Sequence, residues 1–143
     1  MLPHQLQRND KDVGRTLLYL ASANGRLAAV ELLLDRGADK DKANFFGDTP
    51  LYIASQNGHL AVVELLLARG ADTDKANKED GSTPLMAAAR YGNLDVVERL
   101  LGRNACLYLR DKHGRTALEM ARERGHAAIV DRLTQVREWG LLL

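Results

Sequence analysis

The side chains of this chain that could do chemistry are its histidines, its one cysteine and a set of carboxylates, and their spacing limits what that chemistry could be. The four histidines, His4, His59, His113 and His126, show no metal-ligand spacing. His59 and His126 each follow a glycine, Gly58 and Gly125, in matching contexts, which reads as an imidazole hydrogen-bonded to the backbone of a neighbouring loop. Cys106 has neither a histidine nor a helix terminus beside it to activate it, so it reads as a small buried or half-buried residue rather than a nucleophile. The carboxylates Glu31, Glu64, Glu98 and Asp131 recur every 33 or 34 residues. Acid–base or metal chemistry needs such groups to converge at a point, whereas a regular interval spreads them along a solvated ladder. Arg36, Arg69 and Arg103 recur in the same way and read as partners of helix C-terminal carbonyls. Neither a phosphate loop nor a dinucleotide fingerprint is present. The chain is therefore expected not to be an enzyme, and to have no catalytic residue, no metal and no cofactor.

Composition narrows the alternatives further. A chain of 143 residues fits one domain, residues 1–143, and is long enough to bury a continuous core. There is no uncharged apolar run of about 18 residues, so no membrane span is expected, and Met1 to Asp12 contains no apolar stretch of signal-peptide type. One cysteine leaves no intramolecular disulfide and points to a reducing, intracellular setting, the cytoplasm. The 20 Lys plus Arg nearly balance the 19 Asp plus Glu, which gives no electrostatic reason to expect a nucleic acid or an anionic membrane as partner.

What positions these residues is an internal repeat. Gly14-Arg15-Thr16-Leu17-Leu18 returns as Gly47-Asp48-Thr49-Pro50-Leu51, Gly81-Ser82-Thr83-Pro84-Leu85 and Gly114-Arg115-Thr116-Ala117-Leu118, at intervals of 33, 34 and 33 residues. Other columns keep step, among them Ala21, Ala54, Ala88 and Ala121, and Gly25, Gly58, Gly92 and Gly125. Each threonine sits where a helix needs an N-cap, and Pro50 and Pro84 follow at the first helical position, where a missing N–H costs nothing. A short helix follows, with small residues such as Ala54, Ser55, Ala87, Ala88 and Ala89 that permit close approach of neighbours. The second glycine of each unit ends that helix in a left-handed conformation. A second helix then carries apolar residues at helical spacing, Leu60, Val62, Val63, Leu66 and Leu67 in the second unit. Gly37-Ala38 and Gly70-Ala71 close it, and an Asp/Lys-rich turn leads into the next unit.

Thr49-Pro50-Leu51-Tyr52-Ile53-Ala54, Asn57-Gly58-His59, Val62-Val63-Glu64-Leu65-Leu66-Leu67 and Gly70-Ala71-Asp72 resemble the ankyrin-repeat pattern almost column for column. Four units, about 11–43, 44–77, 78–110 and 111–136, cover nearly the whole chain and leave a tail at 137–143. The resemblance implies an all-α solenoid of stacked helix–turn–helix units with β-turn fingers projecting from them. It also implies a non-catalytic module (adaptor, scaffold or inhibitor) that meets a protein partner on finger tips and inner helices, a concave surface. Carried over by position, that surface includes Asp12, Val13 and Arg15 of the first unit, and Phe45, Phe46, Asp48, Gln56 and Asn57 of the second. Glu79, Asp80, Arg90 and Tyr91 of the third unit and Lys112, His113, Arg115, Arg122 and Glu123 of the fourth belong to it as well.

Phe45 and Phe46 are the two phenylalanines of the chain and lie side by side in a finger where polar residues are usual. Successive residues of an extended turn point in different directions, so at least one is expected to be exposed as an anchor. Tyr19, Tyr52 and Met86 share a column that reads as packing between units, and the third finger carries one extra residue between Lys75 and Gly81. The charged helices of the fourth unit read as a polar cap. Beyond them, Trp139 is expected to pack back on the last helix while Leu141, Leu142 and Leu143 fray. The alternative is a structural unit that self-assembles through this apolar tail or an imperfect cap, although a monomer is the expected state.

Overall fold

The computed structural model describes residues 16–142, with side chains described as far as Gly140. The expectations placed on Asp12, Val13, Gly14 and Arg15, on Leu143, and on the side chains of Leu141 and Leu142 lie outside the described residues. Eight helices follow in pairs: α1 (Leu17–Ala23) and α2 (Leu27–Asp35), α3 (Pro50–Asn57) and α4 (Leu60–Ala68), α5 (Pro84–Arg90) and α6 (Leu94–Gly102), α7 (Ala117–Glu123) and α8 (Ala127–Leu142). Among the described residues there is no strand. The odd-numbered helices stack on one another as an inner layer, and the even-numbered ones form an outer layer against them.

Each inner helix starts at its threonine. The hydroxyls of Thr16, Thr49, Thr83 and Thr116 accept from the backbone N–H three residues on, at 3.0, 3.1, 3.3 and 3.3 Å. These helices have seven or eight residues, too few to persist alone in water, so packing must hold them. Leu18, Leu51 and Leu85 are almost fully buried, and Ala54, Ala88 and Ala121 lie beside them with no measurable exposure. The outer helices supply Val30, Val63 and Val97, then Leu33, Leu66, Leu100 and Leu133 to the same continuous core. Each such side chain contributes about 1.5–3 kcal/mol by leaving water.

Polar links between units follow one pattern. The last turns of α1, α3 and α5 leave carbonyls without helical donors, and the next unit supplies the donors. His59 Nε2 meets the Ala23 carbonyl at 2.9 Å and His126 Nε2 meets that of Arg90 at 2.9 Å. A carbonyl oxygen only accepts, so Nε2 carries the proton in both rings. Asn93, at the corresponding place in the third unit, donates to the carbonyls of Ser55 and Gln56, both at 2.9 Å. On the outer face the carboxylate ladder reaches across units: Glu64 pairs with Arg99 at 2.8 Å, and Glu98 pairs with Arg132. The arginine column keeps its expected role at Arg103, which meets a helix C-terminal carbonyl, but that carbonyl belongs to the preceding unit, and Arg69 departs from the role. Arg69 pairs with Asp35 of the preceding unit at 2.8 Å, and Arg103 donates to the Leu67 carbonyl of the preceding outer helix at 3.3 Å. The long guanidinium arm reaches the neighbouring unit more readily than it folds back on its own helix end. These pairs are solvent-exposed and each contributes no more than about 1 kcal/mol.

The fingers are held by a column that the sequence reading passed over: Asn44, Asn77 and Asp111. Their backbone N–H groups donate to the carbonyls of Asp48, Ser82 and Arg115, closing each finger at 3.0, 2.9 and 3.0 Å. Their side-chain oxygens accept two further N–H groups each inside the loop: Phe46 and Asp48, Asp80 and Ser82, His113 and Arg115. The extra residue of the third finger falls inside this closed loop, which runs from Asn77 to Ser82. Neighbouring fingers are then joined by backbone bonds, Lys78 N–H to Phe46 C=O at 2.9 Å and Lys112 N–H to Asp80 C=O at 2.8 Å. Lower on the fingers, the Asp41 carboxylate accepts from Asp72 N–H and the Asp74 carboxylate from Cys106 N–H, at 2.9 and 3.0 Å. Cys106 is half-buried.

The C-terminal end departs from the expected tail. Instead of fraying, α8 runs as one 16-residue helix to Leu142, against nine residues in each of α2, α4 and α6. Trp139 does not fold back on it but stands 67% exposed. No proline or left-handed glycine interrupts the helix, and Gly140 lies within it.

Two outcomes follow. Gly92 and Gly125 have the same positive φ (+76° and +74°), but a Cβ on Gly92 would lie 2.8 Å from the His126 ring, while one on Gly125 meets nothing within 4 Å. G125A is expected to cost about 1 kcal/mol for left-handed backbone. G92A is expected to cost about 1 kcal/mol more, because the imidazole–carbonyl bond must also give way; urea unfolding of both variants measures the difference. The second concerns Asp111. Burial works against its carboxylate, but hydrogen bonds from the Arg115 backbone and guanidinium and from His113 N–H hold its pKa below the ordinary aspartate value. In D111N the amide oxygen keeps the loop bonds, as in Asn44 and Asn77, while the charge pair with Arg115 at 3.0 Å is lost. The expected cost is about 1.5 kcal/mol at neutral pH. A lowered folded-state pKa contributes stability above the unfolded value and loses it as pH falls through the folded value, so the gap between wild type and D111N should close in acid melts.

Candidate partner-binding surface

The second finger is a rigid mount for two rings. Asn44 pins the N–H of Phe46, the Phe46 carbonyl accepts from Lys78, and Gly47 turns the chain at φ +82°. A Cβ at Gly47 would lie 2.6 Å from the Lys78 backbone nitrogen, so the close approach of the two fingers requires glycine there. With both backbone edges engaged, the side chains point into solvent. Phe45 is 75% exposed and Phe46 40%, and their rings meet edge to face with centroids 5.8 Å apart and planes at 88°. Beside Phe45 an open cleft runs between the second and third fingers, bordered by Lys42, Lys75 and Lys78.

Asp48 stands at the foot of this finger, half-buried, accepting from Asn77 Nδ2 at 3.1 Å. Burial raises its carboxyl above the ordinary value, and the negative charges of Asp80 and Glu79 act in the same sense; hydrogen bonds with Asn77 and Asn44 oppose them. Behind it, the Tyr52 phenol is pushed far above its usual value by burial and by the charges of Asp80 and Asp48, against the influence of Arg90 and Ser82. Tyr52 thus stays protonated and packs as a core residue. Tyr19 and Met86 of the same column are buried too, as their role between units demands. Arg90 lies over this group, 3.7 Å from Asp80, with little exposure.

The other candidate residues differ in how free they are. Tyr91 is 51% exposed at the end of α5. Gln56 is half-exposed and donates to the Asn57 side chain at 3.4 Å, while the Asn57 amide donates to the Ala23 carbonyl at 2.9 Å. His113 is exposed on the fourth finger. Arg115 is engaged by Asp111 at 3.0 Å and by Glu123 at 3.2 Å. The structure therefore brings Phe45, Phe46 and Asp48 together on one finger and ties Arg90 to the next finger through Asp80. Gln56, Tyr91 and His113 present side chains to solvent from three different units.

The His59 and His126 rings are committed to backbone carbonyls. Among the described residues no group of three or more His, Cys, Asp or Glu could hold a metal ion, and no helix is long and apolar enough to cross a membrane.

A family model for ankyrin repeats, built on three copies of the repeat, matches residues 1–77 and 70–138. No curated protein is significantly similar to the chain. Ankyrin repeats are generally protein–protein interaction modules and typically not enzymes. Repeats matched over residues 1–138, on eight helices paired and stacked as described, place this chain in the ankyrin-repeat family.

Proposed function

We propose that this chain is a non-catalytic recognition module, an adaptor, scaffold or inhibitor, that holds a protein partner against its fingers and inner helices, with Phe45 and Phe46 as the anchor. The observation that carries the reading is the pair of exposed rings on a finger closed by the Asn44 backbone and side chain and tied to the next finger through Lys78. Aromatic anchors dominate interface energetics when a partner buries them, and a mount that is already ordered loses little entropy on binding. Asp48, Gln56, Asn57, Arg90, Tyr91, His113 and Arg115 form the polar surround, in which the already paired Asp48, Asn57, Arg90 and Arg115 hold shape.

The double variant F45A/F46A tests this. Affinity for a partner captured by the wild-type chain, measured by titration calorimetry, is expected to fall by about 2 kcal/mol or more, with the melting temperature nearly unchanged. A large drop in melting temperature with binding intact would show instead that the rings serve the fold.

A second reading, self-association through the C-terminal end, draws on the exposed Trp139. Sedimentation of the full chain against one lacking residues 139–143 separates the two. A partner-binding monomer has the same association state in both, whereas a self-assembling unit loses mass in solution when the segment is removed.

A further inference from the structure

In the first three units, two columns of the inner helix are sealed by the next unit: Tyr19, Tyr52 and Met86 in one, Ser22, Ser55 and Ala89 in the other, all buried. In the fourth unit the same columns hold Glu119, its side chain 43% exposed, and the exposed Arg122. That face is not merely polar. A cavity of about 200 Å³ opens in it between α7, α8 and the last finger. Its floor is apolar, with Leu107, Leu118 and Leu133, and its rim carries Tyr108, Arg122 and Arg137.

Three observations give the cavity a chemical character. The extra length of α8 builds one wall: Arg137 and Gly140 lie beyond the point where the other outer helices stop, and a Cβ on Gly140 would sit 3.5 Å from the Tyr108 hydroxyl. Of the lining residues, Tyr108 stands 61% exposed, so an aromatic ring is open to solvent at the rim. The charges at the rim are also uneven. Arg110 is occupied by Glu119 at 3.7 Å and the Gly114 carbonyl at 2.7 Å, but Arg122 and Arg137 are exposed and make no ion pair among the described residues. Solubility alone would be served by charges of either sign and by a filled surface. An apolar hollow beside two unpaired guanidinium groups is instead complementary to an apolar side chain flanked by carboxylates.

We propose that this end cavity is a second recognition site, taking an acidic segment of a partner protein that inserts a leucine-like side chain between α7 and α8 while its carboxylates meet Arg122 and Arg137. The site is separate from the Phe45–Phe46 surface and does not rest on it.

The probe is the acetylated, amidated hexapeptide Glu-Glu-Leu-Leu-Glu-Glu, titrated into the full ¹⁵N-labelled chain and followed by amide chemical shifts. Saturable shifts are expected at Leu107, Tyr108, Leu118 and Arg122. R122E/R137E is expected to weaken binding at least tenfold, equivalent to about 1.4 kcal/mol; the milder R122Q/R137Q should lose most of the affinity too, with melting temperatures unchanged. F45A/F46A should bind the peptide like wild type. The proposal is overturned if no shifts occur at millimolar peptide, or if Lys-Lys-Leu-Leu-Lys-Lys binds equally well. Shifts that centre on the second finger and vanish in F45A/F46A overturn it as well, as does a cavity that the peptide ignores and a second copy of the chain fills.

Discussion

A helix of seven residues is not stable by itself in water, and neither helix of any pair in this chain can bury both its faces within its own unit. Every unit is completed by its neighbour: Leu51 and Ala54 of α3 are buried because α1 lies on one side and α5 on the other. The polar backbone obeys the same dependence. Carbonyls at the end of α1, α3 and α5 find their donors in His59, Asn93 and His126 of the following units. Stability is then mostly a property of the seams between units, which is why the small alanine columns and the left-handed glycines sit at those seams.

The same arrangement decides what is left over for recognition. Helix faces are used up by stacking, whereas the fingers are fixed from within, through the backbone and the Asn44, Asn77 and Asp111 side chains. A finger held in this way places no demand on the outward side chains, so Phe45, Phe46 and His113 need not pack against anything. Charged residues divide along the same line. Among the described residues every ion pair uses an arginine, and these pairs link units or brace a single unit. The described lysines, Lys40, Lys42, Lys75, Lys78 and Lys112, all lie in the finger segments and make no ion pair. The rigid planar guanidinium suits a fixed seam, and the flexible ammonium suits a surface that adapts.

The repeat made most of this fold legible in the sequence. Thr16, Thr49, Thr83 and Thr116 as caps, the glycines that end the inner helices, and the imidazole–backbone bonds of His59 and His126 all follow from residue chemistry at a fixed interval. That at least one of Phe45 and Phe46 is exposed was also readable, since burying both residues of a turn is hard; the exposure of both was not. Less legible were contacts whose partners lie one unit away on a different column. Arg69 reaching Asp35 and Arg103 reaching Leu67 depend on how far neighbouring units are offset, which periodicity alone does not specify. The Asn44, Asn77 and Asp111 column carried a signal, a turn-forming side chain at the repeat interval, but it changes from amide to carboxylate and so does not stand out by residue identity. Trp139 was misread for a different reason: α8 runs past the length of the other outer helices, and neither period nor cap chemistry gives that extra length.

Stacking and recognition meet at the fourth unit. A column that is Tyr, Tyr and Met where it is covered becomes Glu119 where it is not, and Ser, Ser and Ala become Arg122. Such replacements are what ends a stack, because another unit could dock here only by burying both charges without their water. Yet Leu118 and Leu133, which line the core of this unit, also border the open cavity, so the face that refuses another repeat still offers an apolar hollow. A surface that rejects its own kind and keeps a hollow with unpaired cations is selective by construction, since only a ligand bringing both carbon and negative charge satisfies it. The constraint that builds the solenoid, that each unit must be finished by something else, therefore sets the chemistry of whatever finishes the last one.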